Sequence, residues 1–518
     1  MRTTTTLVLI LASTAAAATL AGAQPLPPVP VPNQNPITEE KRVLGKILFW
    51  EQGLSSDSSV ACGSCHQPGV GGADGRVGVH PGSDLAFGTE DDIFGSPGVV
   101  RADANGTPIP DPIFGNDVQV SMRTAPNFFG ALWSPLQFWD GRATGEFRDP
   151  LTDAVVIPVG GALESQSLAP ILNDIEMAYE ARTWTDVTSK LETLSPLVQA
   201  TDIPADMLDA LATSPSYPEL FAAAFGDPEI TPTRIAFSIA TYERTLVPDQ
   251  TPWDEFIAGN QQALTPRQAN GAQFVQGGPC GVCHGGPMFT NNTFRNIGLR
   301  PPAEDTGRQA ITGVPADRGR FKVPSLRNVG LRDRLMHNGQ ITDVADAIRF
   351  YARIGHVHFP ENQDPAVRGG IPIPANLAAD VEDFLVNGLT DPRVANETFP
   401  FDRPTLGEPE PAGLGDDDAQ DTAPVADMST IAAQAFPNPF RDDVTIRFQL
   451  ESASEVDIDV YSASGQLVTR SRVSAVAGTN SWNWDGRTAH GTPAPAGVYF
   501  TTLASGTARS TGRLVRID

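Results

Sequence analysis

Helical periodicity begins after a short run of prolines. Thr38 precedes Glu39 and Glu40, and the segment then runs through Val43, Ile47 and Leu48. This predicts a helix capped at Thr38 that leads to a first cysteine pair. Over residues 67–120 the pattern is lost, because Gly, Pro and Asp interrupt every apolar run, and the segment reads as loop. Helical spacing returns over 166–260, and within 233–244 Ile235, Ile239 and Tyr242 fall on one face. Thr265-Pro266-Arg267-Gln268 combines a capping Thr, a Pro at the first helical position and a Gln at the third, so a helix starts there and runs to a second cysteine pair. Beyond residue 430 the period changes to two. Segments 444–450, 456–461, 466–473, 497–503 and 513–517 alternate with glycine turns between them, as in a β-sandwich of roughly 85 residues. Trp482 and Trp484 belong to its core.

The chain has 518 residues, enough for about three or four domains, and 40% of them are hydrophobic, enough for sizeable cores. Arg2, the apolar stretch 7–20 and Ala21-Gly22-Ala23 form a secretory signal pattern, with cleavage expected before Gln24. A membrane anchor is the alternative, but the apolar stretch is short and no basic stop follows it. The formal charge of −25 argues against nucleic acid, which needs Lys and Arg for its phosphates. It suits either solubility or the attraction of a basic partner.

The four cysteines occur as Cys62-Gly63-Ser64-Cys65-His66 and Cys280-Gly281-Val282-Cys283-His284. Disulfides, redox dithiols and a zinc site are the competing readings. A dithiol needs no adjacent His, and a four-Cys zinc site usually pairs closer knuckles. C-x-x-C-H supplies two thiols for the vinyl groups of one porphyrin and a His for its iron, so each motif predicts a covalently attached haem c, with His66 and His284 as iron ligands. Gly45 to Phe49 and Gly271 to Phe274 precede the two motifs alike, which suggests duplication of a small haem-binding unit.

From residue 40 to about 392 the chain resembles the bacterial di-haem cytochrome c peroxidase family, including its MauG-like branch. The resemblance rests on ordered segments: LGKILFWEQGLSSDSSVACGSCH, GGADGR at 71–76, QFWDGRA at 137–143, LESQSLAPILNDIEMA at 163–178, IATYERTL at 239–246, GVCHGGPMFT at 281–290, and FKVPSLRNVGL at 321–331 followed by MHNG. It implies that peroxide meets the first haem, beside Gln166, Pro170 and Glu176, and that the second haem passes or stores electrons. It makes Trp139 the relay between them. Without it, Glu176 reads as an exposed helix acid, Gln166 as a loop polar group and Trp139 as a core residue.

The resemblance also implies a sixth ligand on the second haem at Tyr351, fourteen residues after His337. The MauG-like branch has Tyr there and the peroxidases Met. Val344, Ile348 and Tyr351 share a helical face, so a core Tyr is the alternative reading, and Met336 is a rival ligand. His80 matches, two residues early, a His that can cap the first haem at rest. A calcium ion between the haems is doubtful, because the family's Asn, Thr and Pro at that site match Thr124, Arg332 and Arg334. About 17 extra residues, 143–160, form a loop over the pocket or a partner-binding surface. The C-terminal segments AFPNPF, VDIDVYSASGQLV and PAGVYFTTL are similar to FlgD-like Ig modules that sort surface and type IX-secreted proteins.

The expected fold is therefore mainly α, with two cytochrome c-like haem domains followed by a small all-β Ig-like sandwich. The expected order is a signal peptide (1–23), a Pro-rich linker (24–36), a peroxidatic domain (37–262), an electron-transfer domain (263–400), an acidic, Pro-rich linker (401–430) and a sorting or anchoring sandwich (431–518). The expected activity is reduction of hydrogen peroxide with electrons from a small exported cytochrome c or cupredoxin, in the periplasm, at the cell surface or outside the cell. Secretion or surface machinery would engage the C-terminal domain. A MauG-like oxidase acting on Trp or Tyr of a partner protein and a passive electron carrier are the alternatives.

Overall fold

The computed structural model describes residues 24–407 and, with short interruptions, 433–516. The expected signal peptide and most of the acidic linker lie outside these residues. The described residues fall into two compact units, 24–407 and 433–516. Among them no helix is long and apolar enough to cross a membrane.

The first unit is built around two apolar clusters. One gathers Leu44, Ile47, Trp50, Phe129, Tyr217, Ile235 and Tyr242, and closes on Phe401. The other gathers Trp253, Ala272, Val275, Phe289, Ile348, Val381 and Phe384. The same construction underlies both. The helix Glu39–Phe49 is capped by Thr38, whose hydroxyl accepts from the Lys41 N–H. It crosses the helix Pro232–Glu243 at Gly45, where a Cβ would lie 1.9 Å from the Ser238 carbonyl oxygen. The helix Pro266–Gly277 starts with a reciprocal capping box between Thr265 and Gln268. It crosses the helix Ala375–Asp383 at Gly271, where a Cβ would lie 2.1 Å from the Asp380 oxygen. The glycine shared by the two halves is thus the point where two helix backbones touch.

Mainly α overstates this unit. Its helices are short and separated by long irregular stretches. Four two-stranded ribbons interrupt them, two of which lie inside the segment read as loop: Gly78–His80 with Ile93–Gly95, and Pro97–Val100 with Val118–Val120. Residues 143–160 form a third ribbon, Phe147–Arg148 with Val155–Ile157. It is tied to the helix Pro232–Glu243 by the Thr233 hydroxyl, which donates to Asp149 at 2.6 Å. Residues 401–407 still belong to this unit: Phe401 is buried, and Gly407 exchanges two hydrogen bonds with Gln52.

The second unit is a sandwich of two antiparallel sheets. One has four strands in the order Leu467–Ala475, Ser454–Ser462, Gly497–Ser505, Ala508–Arg516. The other has three, Gly478–Trp484, Val444–Leu450 and Ala433–Phe436. Two of these, Ala433–Phe436 and Gly478–Trp484, were not expected. Val444, Ile446, Val456, Ile458, Trp484 and Leu514 fill the space between the sheets. Trp484 is buried and its indole N–H donates to the Arg487 carbonyl, whereas Trp482 packs at the margin.

Candidate haem sites

Cys62–Cys65 is a single helical turn. It places both sulfurs on one face and His66 at its C-terminus. The turn is closed at its start by the Ser64 hydroxyl, which accepts from the Ala61 N–H. Gly63 lies flat on the Trp50 ring, where no Cβ would fit. The GGADGR segment then turns through Gly71 and Gly72, both at positive φ, and brings the Gly72 carbonyl to the Nδ1 of His66 at 3.3 Å. With Nδ1–H donating to that carbonyl, Nε2 is left to bind a metal. His284 is arranged the same way, its Nδ1 on the Phe289 carbonyl at 3.0 Å. Burial lowers the proton affinity of both rings and keeps them in the neutral, ligating form.

All four cysteines are unpaired. Burial pushes the Cys62 thiol up to about 12 and Cys280 up to about 11, and raises Cys65 and Cys283 as well. Thiols so held against ionisation are poor redox dithiols. Each pair instead borders a cavity beside its His.

The first cavity, about 490 Å³, is bordered by Cys62, Cys65 and His66, and also by Gln166, Pro170 and Glu176. Gln166 lies in the last turn of the helix Ala162–Ser167, and Pro170 opens the 3₁₀ turn Pro170–Leu172. Glu176 is not on a helix. It sits in a loop shaped by Asn173, whose side-chain oxygen accepts from the N–H groups of Ile175 and Glu176. That loop is fixed from outside by the ribbon at 97–120. Val99 N–H donates to the Ile175 carbonyl at 3.2 Å, Gln119 Nε2 donates to the Asp174 carbonyl at 2.6 Å, and Gly98 leaves room for the close approach. Burial raises the Glu176 carboxyl above the usual range, and Arg142 pulls it back.

The second cavity, about 180 Å³, is bordered by Cys280, Cys283 and His284, with both Tyr351 and Met336 in its wall. Val275, Leu326, Val344 and Ile348 make the rest largely apolar. Tyr351 ends the helix Val344–Tyr351, and burial raises its phenol above the ordinary value, so it stays protonated unless a cation fills the cavity. Met336 is held at φ +68°, inside a turn. Tyr351 and Met336 share the wall of this cavity.

Trp139 borders both cavities. It is 8% exposed, and its indole N–H donates to the Thr124 carbonyl at 2.9 Å. Lys322, which no sequence motif singles out, also borders both. Its ammonium group donates to the Ser134 hydroxyl and the Leu136 carbonyl, and burial lowers its pKa to about 8. Glu243, equally unremarked in the sequence, borders the first cavity. Its Oε2 has no hydrogen-bond partner, and burial raises the carboxyl to about 8.

Two segments that could have faced the first cavity lie away from it. His80 does not border the first cavity. Its ring packs against Phe114, its Nδ1 accepts from the Gly82 N–H, and the ribbon Gly78–His80 with Ile93–Gly95 holds it there. The extra residues 143–160 do not cover the cavity either, because their ribbon is anchored on the helix Pro232–Glu243.

Residues 39–262 match the family model for di-haem cytochrome c peroxidase, and residues 438–509 match that for the FlgD Ig-like domain. The cytochrome c peroxidase Ccp of Escherichia coli is 28% identical over 334 residues, 63% of this chain and 56% of that protein. The methylamine utilization protein MauG of Methylophilus methylotrophus is 29% identical over 328 residues, 62% of this chain and 75% of that one. The crystal structure of a MauG-like protein associated with microbial copper homeostasis shares the fold, with a TM-score of 0.50 at 24% identity over 73% of this chain and 96% of that one. The chain thus spans little more than half the length of the Escherichia coli relative. The chain is therefore similar to di-haem cytochrome c peroxidases over residues 39–262 and to FlgD Ig-like domains over residues 438–509.

Proposed function

We propose that this protein reduces hydrogen peroxide at the Cys62/Cys65/His66 site, with electrons entering at the Cys280/Cys283/His284 site and crossing by way of Trp139. The inequality of the two cavities carries the reading. The first joins a haem-binding motif to a carboxyl, an amide and a proline, and the second is largely apolar. A haem bound through each motif would supply the iron and the redox equivalents.

The protein's part is proton handling and positioning. Two electrons and two protons convert one peroxide to two waters. The Glu176 carboxylate takes a proton from one peroxide oxygen and returns it to the other, which eases cleavage of the O–O bond. Such catalysis is worth about 10²- to 10⁴-fold. The Gln166 amide orients the peroxide, and Pro170 offers no side chain that could ligate iron. The donor is a small exported redox protein of cytochrome c or cupredoxin type, and a charge of −25 suits a basic one. Export is supported by the amino-terminal signal pattern, and the FlgD Ig-like domain suits delivery to secretion or surface machinery.

Tyr351 in the wall of the second cavity favours a second reading, a MauG-like oxidase that uses peroxide to modify Trp or Tyr of a partner protein. A hard phenolate would favour oxidised iron, whereas the Met336 thioether would raise the potential. Steady-state assay with reduced cytochrome c or cupredoxin and peroxide separates the two. Sustained donor oxidation is expected. Its absence with every donor tried, alongside full haem loading, would reject the peroxidase reading.

A further inference from the structure

The family resemblance implies a calcium ion between the haem sites, held at position 124 and by the carbonyls of residues 332 and 334. The residues at that place do not fit a divalent ion. The Thr124 hydroxyl donates to the Met336 carbonyl at 2.9 Å, and the Thr124 carbonyl already accepts from Trp139. The Arg332 side chain folds back so that its Nε donates to the Arg334 carbonyl at 3.3 Å and its Nη2 to the Ala125 carbonyl at 2.9 Å. One of the expected calcium ligands is therefore occupied by a guanidinium. No carboxylate answers it: Arg332 makes no ion pair among the described residues, and its buried Nη1 has no hydrogen-bond partner. Nor does any group of three or more His, Cys, Asp or Glu among the described residues form a metal cluster.

The fold makes room for this cation. Gly71, at φ +67°, lies where a Cβ would come within 2.7 Å of the Arg332 Cγ. The next residue, Gly72, supplies the carbonyl that holds His66. Burial lowers the Arg332 pKa only to about 10, so the group is charged at neutral pH.

We infer that the Arg332 guanidinium is this protein's inter-haem cation, taking the place of calcium, and that its fixed charge tunes the haem site at His66. The inference rests on the di-haem reading above. A positive charge near a redox centre favours the reduced state, so removing it lowers the midpoint potential. Independence from calcium follows, because the cation is part of the chain.

The test uses the purified holoprotein. Iron and calcium are measured together, and midpoint potentials are determined with and without excess EGTA for wild type, Arg332→Met and Arg332→Lys. Iron at two per chain, calcium well below one per chain and chelator-insensitive potentials are expected in the wild type. Arg332→Met should lower the potential of the His66 haem, and Arg332→Lys should keep most of it. Stoichiometric calcium whose removal shifts the spectra overturns the inference, and so does an unchanged potential in Arg332→Met. Should Arg332→Met fail to fold, the wild-type metal content and Arg332→Lys still decide. Iron well below two per chain overturns the di-haem reading itself, whatever the calcium content.

Discussion

Trp139 and His337 occupy the same position in two copies of one turn, and their rings stand 6.3 Å apart. In the first copy the Gln137 N–H donates to the Ala143 carbonyl, and in the second the Leu335 N–H donates to that of Ile341. The intervening Phe138 and Met336 both have positive φ, at +66° and +68°, and Gly141 and Gly339 repeat the pattern. The duplication seen in the cysteine motifs thus extends to the segments that meet between the haem cavities, with Trp in one copy and His in the other.

Replacing Trp139 by Phe keeps an aromatic ring but removes the indole N–H that is fixed on Thr124. If electrons cross here, steady-state peroxide turnover should fall by about tenfold or more, equivalent to about 1.4 kcal/mol of barrier. Haem loading should be unchanged. Stopped-flow oxidation of the second haem after peroxide addition measures the step directly, and a wild-type rate would remove Trp139 from the path.

Glu176→Gln keeps the shape of the loop and removes the proton carrier of the proposed mechanism. Peroxide cleavage should slow by about 10²- to 10⁴-fold with spectra otherwise intact. Burial raises this carboxyl, and only its ionised form can accept a proton. The acid limb of the pH–rate profile should therefore lie above the usual carboxylate range and disappear in the variant.

Glu243 gives a prediction about stability. Its carboxyl is raised to about 8 in the folded chain, so between the unfolded value and 8 the folded state holds the extra proton. Stability then falls as pH rises through that window and levels off above it. Glu243→Gln should remove this slope and stabilise the protein at pH 7 by about 1–3 kcal/mol. Thermal melts of both proteins from pH 5 to 9 would show it, and parallel curves would count against it.

Gly45→Ala and Gly271→Ala each force a methyl group against a backbone carbonyl of the facing helix. Overpacking of this kind costs about 1–3 kcal/mol, and here the obstacle is main chain rather than a movable side chain. Denaturant midpoints should drop for both. An equal drop would support the equivalence of the two helix crossings.

Tyr351→Phe should change the absorption and the potential of the second haem if the phenol ligates it, and Met336→Leu should then leave both as in wild type. The reverse result would assign the ligand to Met336.

Features governed by short-range chemistry could be read from the chain. Thr38 and Thr265 announce helix starts because a cap is satisfied within three residues. C-x-x-C-H sets its geometry within a single turn. What depended on distant partners was hidden. The 97–120 segment looks like loop until Val99 and Gln119 are seen holding the Glu176 backbone. Gly478–Trp484 escaped notice because Gly, Asn and Ser interrupt its apolar alternation, and it is a strand because Val444–Leu450 pairs with it along its length. Lys322 is a lone cation in a two-residue strand, and only the fold brings it between the two cavities.

Thr124 binds both copies of the repeated turn mainly through its peptide groups. Its carbonyl accepts from Trp139, and its N–H donates to the His337 carbonyl at 2.8 Å. The spacing of Trp139 and His337 is therefore written into main-chain geometry rather than into a side chain. Substitutions at residue 124 could alter the chemistry beside the two rings while leaving their gauge untouched, so the junction can be retuned without being rewired.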